Sequence, residues 1–77
     1  MNIQIEYTDT FNGEANYSWV KRIEVEMPDN ATDRMLLRRA KKEMQLSGRQ
    51  GVVSKSGDCI SFKPYCSNTV LFITWEG

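Results

Sequence analysis

Before Pro28, apolar residues recur at every second position in two runs; after it they recur at helical spacing. No single type of element satisfies both periods, so the chain must build strands first and a helix second. In the first run Ile3, Ile5 and Tyr7 alternate with Asn2, Gln4, Glu6 and Thr8. In the second, Tyr17, Trp19, Ile23, Val25 and Met27 share one parity, with Ser18, Arg22, Glu24 and Glu26 on the other. Asp9, Asn12, Gly13 and Asn16 between them are turn formers, so the two runs read as a hairpin with a long loop from Thr8 to Asn16. Lys21 breaks the apolar parity, which predicts a bulge or an edge position near it.

Pro28-Asp29-Asn30 stops the second strand. Asn30 or Thr32 is the candidate N-cap, and Asp33 suits the positive end of the helix dipole. Thr32 to Leu46 is rich in helix formers, with Leu36, Leu37, Ala40, Met44 and Leu46 as an apolar stripe and Met35 and Met44 read as core filling. Gly48 is the expected left-handed residue after the last turn. Val52-Val53 and Cys59-Ile60-Ser61-Phe62 flank a hairpin turn at Ser56-Gly57-Asp58, and Pro64 to Asn68 forms another turn. Thr69 to Trp75 is apolar on both parities, the mark of a central strand.

The expected fold is therefore α+β, in the order β-β-α-β-β-β, with one helix packed on a mostly antiparallel sheet. At 77 residues and 8.9 kDa the whole of 1–77 makes a single domain. One helix covers only one face of the sheet. Val20, Val70, Phe72 and Cys59 would lie on the other, hidden by strong sheet curvature, by a second copy in a homodimer, or by a protein partner.

The chain has no histidine and two cysteines. That excludes Ser-His-Asp and Cys-His nucleophiles, His-ligated metals and four-cysteine zinc sites, and no cofactor or metal is expected. The N-terminus lacks the basic and apolar segments of a signal peptide, and the longest apolar run, Val70 to Ile73, is strand-length. The C-terminal Thr74 to Gly77 does not match a prenylation box. A cytoplasmic protein with reduced Cys59 and Cys66 is the expectation. Asp9 and Glu14 are the only loop carboxylates that suggest an acid–base pair, and so small a domain offers little cleft to shift a pKa, so the chain reads as non-enzymatic.

The formal net charge is zero, yet the charges are segregated along the chain. Residues 1–33 carry seven acids and two bases, and residues 34–55 carry seven bases and one acid. Two candidate binding surfaces follow. One is the acidic hairpin, with Glu14, Glu24, Glu26 and Asp29. The other is the basic helix, with Arg34, Arg38, Arg39, Lys41 and Lys42. Arg34, Arg38 and Lys41 or Lys42 share one helix face that could meet an acidic protein surface or phosphates. The neutral total favours a protein partner, since nucleic-acid-binding domains usually carry a positive balance. Tyr17 and Trp19 read as strand-face packing, and Tyr65 as the exposed aromatic.

Gly13-Glu14-Ala15-Asn16-Tyr17-Ser18-Trp19-Val20, Thr32-Asp33-Arg34 with Arg39-Ala40-Lys41, and Val70-Leu71-Phe72-Ile73-Thr74 together resemble small accessory proteins of bacteriophages and other mobile elements. The resemblance spans nearly the whole chain and implies a common fold and an accessory gene product. In size and αβ build the chain is also similar to anti-CRISPR proteins, an analogy of type that rests on no residue motif. It implies a binding protein that occupies a surface of a host complex such as a CRISPR effector. The basic residues of helix 34–42 give the alternative, direct nucleic-acid binding.

Overall fold

A computed structural model describes residues 1–75; Glu76, one of the C-terminal charges, and Gly77 lie outside the described residues. The elements are β1 (Asn2–Phe11), β2 (Glu14–Glu26), α1 (Asp33–Glu43), β3 (Gly51–Ser56), β4 (Cys59–Pro64) and β5 (Thr69–Trp75). They form one sheet in the order β2-β1-β5-β4-β3, with every neighbouring pair antiparallel. The strand that is apolar on both parities, β5, sits at the centre. The two strands joined through α1, β2 and β3, sit at opposite edges.

The hairpin differs from its expected form. Asn12 and Gly13 both adopt positive φ, 55° and 82°, and make a two-residue turn between Phe11 and Glu14. Positive φ at both central positions matches the right-handed twist of the flanking strands, which is why Asn-Gly is preferred there. The long loop from Thr8 to Asn16 is therefore strand, and its turn formers split between this turn and a bulge. The register jumps from Thr8 opposite Val20 to Thr10 opposite Ala15, so the extra residues of β2 lie between Ala15 and Val20. Lys21 pairs regularly with Tyr7; its exposure reflects the edge position of β2, and the irregularity lies nearer the turn.

Ile3, Ile5, Ile23, Val25, Ile60, Phe62, Leu71 and Ile73 share the face that α1 covers, where they meet Leu36, Ala40 and Leu46. Burying a side chain of Leu36's size contributes roughly 2 kcal/mol. Thr32 caps the helix by accepting the Met35 N–H at 3.2 Å. The helix ends earlier than the expected Leu46. The Gln45 N–H donates to the Lys42 carbonyl at 3.2 Å and the Leu46 N–H to the Lys41 carbonyl at 2.6 Å, with Gln45 at φ 61°. This is the double bond of a Schellman stop, so the left-handed residue is Gln45, while Gly48 (φ 81°) serves the next turn. Met44 is half-buried, but Met35 is 42% exposed and fills no core, because it lies off the Leu36–Ala40 stripe.

The second face is partly covered by the chain itself. Lys63 Nζ donates to the Gly13 carbonyl at 2.7 Å, which requires the hairpin end to lean across that face towards β4. Thr8, whose hydroxyl donates to the Trp19 carbonyl at 2.7 Å, and Val70 are buried. Phe72 and Cys59 are half-buried, and Val20 is exposed. Curvature thus accounts for Val70, but leaves the other three with open surface.

Candidate functional site

The bulge in β2 changes which face its aromatics serve. Trp19 stays with the helix-side parity and packs edge-on against Tyr7, ring centroids 5.4 Å apart. Tyr17 has φ 56° and turns to the opposite side of the sheet. There its hydroxyl donates to Glu6 at 2.6 Å, beside a hollow also lined by Gln4, Cys59, Phe72 and Thr74. The sequence parity placed both aromatics on one side, and the bulge separates them. Both remain close to half exposed, as does Tyr65 in its turn.

Glu6 accepts from Tyr17 Oη and, at 2.6 Å, from Arg22 Nε. Partial burial opposes its ionisation, but those two hydrogen bonds and the guanidinium charge outweigh it and hold the carboxyl below its usual range. The same bond raises the Tyr17 phenol, because losing its proton would put two negative charges together. Asp9 is a clamp for the bulge: hydrogen bonds from Ser18 and Asn16 hold its carboxyl at about 2. A carboxyl held so low stays ionised and has no proton to donate at neutral pH. Cys59 and Cys66 are both free thiols, and burial, with a smaller effect of Glu6, pushes the Cys59 thiol up.

Of the four acidic candidates, Glu24, Glu26 and Asp29 lie towards the β2 edge, whereas Glu14 sits at the far end of the hairpin, beside the turn that leans towards β4. Glu24 and Glu26 project from β2, exposed, and Glu14 opens that strand beside the hairpin turn. Asp29, just past β2, accepts the Met1 ammonium at 2.8 Å; that hydrogen bond and the positive charge hold its carboxyl below the usual range.

The five basic candidates divide. Arg34, Arg38 and Lys41 line one hollow with Leu37 and Gly48, as their helical spacing predicts. Lys41 is engaged there: its Nζ donates to the Arg49 carbonyl at 2.9 Å and sits 4.3 Å from the Phe62 ring centroid. Arg39 pairs with Glu43 at 2.8 Å, one turn along. Lys42 lies on the other flank, in a hollow with Met27, Met35, Arg38 and Arg39. Among the described residues Arg34, Arg38 and Lys42 make no ion pair.

The flank of α1 bearing Arg34 and Leu37 faces β3. Asp33, Arg34, Leu37, Val53, Lys55 and Ile60 line a hollow of about 240 Å³, and Lys55 Nζ bridges to Asp33 at 2.7 Å on its rim. Val53 and Lys55 were not singled out by composition. Their importance depends on β3 being an edge, which only strand order reveals. Glu24 and Glu26 on β2, and Lys55 on β3 with Arg34 beside it, thus lie towards opposite edges of one sheet, the two strands being four strand spacings or roughly 19 Å apart.

Among the described residues no group of three or more His, Cys, Asp or Glu side chains is arranged to hold a metal ion. No helix among them is long and apolar enough to cross a membrane. Comparison with protein-family models, curated proteins and solved structures finds no match to the chain.

Proposed function

We propose that this chain is a non-enzymatic binding protein of phage or mobile-element origin. It acts in the cytoplasm of a bacterial host by occupying a surface of a host protein complex, with a CRISPR-type defence effector as the class of target. The observation that carries the binding reading is the opposite charge towards the two sheet edges, Glu24 and Glu26 on β2 against Arg34 beside β3 and Arg38 one turn along the same helix flank. Complementary charge at two separated places orients an encounter as well as speeding it, which a single patch cannot do. The proposed origin rests on the resemblance carried by Gly13 to Val20, the start of α1 and Val70 to Thr74.

Direct nucleic-acid binding by helix 34–42 is the competing reading. Lys41 and Arg39 have partners within the chain, which leaves a small footprint for a phosphate backbone.

The test is a cross-linked pull-down from nuclease-treated bacterial lysate, with wild type and an Arg34→Glu/Arg38→Glu double variant as baits. The expected result is a protein complex retained by wild type and depleted with the variant. An empty wild-type capture overturns the proposal. Salt-sensitive binding to labelled DNA or RNA, with no captured protein, overturns it in favour of the nucleic-acid reading.

A further inference from the structure

The two edges of the sheet are protected unequally. Along β2, Lys21, Arg22, Glu24 and Glu26 follow one another and the Tyr17 bulge bends the strand; charges and bulges are the usual means of stopping another strand from adding to an edge. β3 has no bulge and only one charge. It pairs with β4 alone, in unbroken register from Gly51 opposite Pro64 to Ser56 opposite Cys59. Val52 and Val53 at its middle are 55% and 52% exposed, and its single charge, Lys55, is drawn to Asp33. Its outward N–H and C=O groups offer a ladder to an added strand.

The surroundings define what fits. Val53 lies on the helix side of the sheet, opposite Phe62, and forms with Leu37 and Ile60 the apolar floor of the hollow between β3 and α1. Arg34 stands at the rim of that hollow and Arg38 one turn along the same helix flank, both without ion-pair partners among the described residues. A strand added to β3 would direct every second side chain towards this flank. An apolar side chain there fills the hollow, and carboxylates on either side of it meet the two guanidiniums. A second copy of this chain fits poorly. Antiparallel pairing of two β3 edges would put both helices on the same sheet face with their arginine flanks turned towards each other.

We propose that β3 and the adjoining flank of α1 form a docking site for an extended acidic segment of a partner protein, added as a sixth strand. The site rests on the binding reading above and names the partner's chemistry. Carboxylates two residues either side of an apolar residue are its recognition pattern.

The probe is a fluorescein-labelled peptide Thr-Glu-Thr-Leu-Thr-Glu-Thr, titrated with the full chain by fluorescence anisotropy, with amide chemical shifts recorded in parallel. Saturable binding is expected, with shifts concentrated at Val52 to Lys55 and none along β2. Arg38→Glu and Val53→Asp, both at exposed positions, should each weaken binding by about tenfold or more. The same peptide with Lys for Glu, or N-methylated at every residue, should fail to bind. Equal binding of the Lys peptide, or shifts centred elsewhere, overturns the proposal. So does a dimer in sedimentation that Val53→Asp abolishes, because the second copy is then the occupant. Peptide binding at β3 with an empty lysate capture sustains this site and overturns the wider function. A captured complex insensitive to Val53→Asp sustains the function and overturns this site.

Discussion

Asp9 Oδ1 accepts the backbone N–H of Ser18 at 2.9 Å, so a carboxylate on β1 ties down the bulged segment of β2 that faces it. Its other oxygen accepts from Asn16 at 3.0 Å and from the Ser18 hydroxyl. This clamp turns Tyr17 to the second face while Trp19 stays beside Tyr7.

The clamp should make the hairpin sensitive to acid. Hydrogen bonds from Ser18 and then Asn16 lower the Asp9 carboxyl from its ordinary 3.8 to about 2 in the fold. A lowered folded-state pKa means stability that is present above the unfolded value and lost as pH falls through the folded one. In thermal melts from pH 7 downwards, wild type should exceed Asp9→Ala by a constant margin to about pH 4. The two should converge as pH approaches 2. A margin unchanged down to pH 2 would show that the carboxylate's charge is not what holds the bulge.

Thr32→Ala removes the acceptor for the Met35 N–H and leaves a first-turn donor unpaired. The expected loss is about 1 kcal/mol, read from the midpoint of urea unfolding, with Thr32→Ser recovering most of it.

Gln45→Gly should stabilise. Gln45 occupies the left-handed position of the Schellman stop at φ 61°, where a Cβ crowds the following carbonyl. Glycine adopts that conformation without the clash, and a gain of about 1 kcal/mol in urea unfolding is expected.

Gly51→Ala should harm β3 selectively. A Cβ at Gly51 would run into the Lys63 carbonyl and come within 2.8 Å of the Pro64 Cα, both backbone atoms of the paired strand. Neither can move without opening the β3–β4 ladder, so a cost of about 2 kcal/mol is expected. Hydrogen exchange should show lost protection across β3 and β4 before β1 or β5. Uniform loss would mean that the close approach is not local to this edge.

Much of the layout was legible because it depends on short-range periodicity. The alternation of Ile3, Ile5 and Tyr7, the stop at Pro28 and the Leu36–Ala40 stripe each act over a few residues. The bulge was harder to place. Asp9, Asn16 and Ser18 are separated in the chain and converge only once the register of β1 on β2 is set. Asn12 and Gly13 stand among several turn formers between Asp9 and Asn16, and that density points to a longer loop than the two-residue turn that forms.

The segregation of charge was also readable, and by itself the sequence determined that an acidic hairpin would be followed by a basic helix. Which of those charges have partners was settled in three dimensions. Lys41 bends to the Arg49 carbonyl and the Phe62 ring, and Asp33 meets Lys55 across 22 positions. Strand order was likewise beyond local pattern, because β5 inserts between β1 and β4 from the far end of the chain. That insertion, driven by burial of a strand apolar on both faces, pushes β2 and β3 to opposite edges. Periodicity specifies elements; only long-range packing decides which strand keeps an unpaired edge and which charges stand beside it.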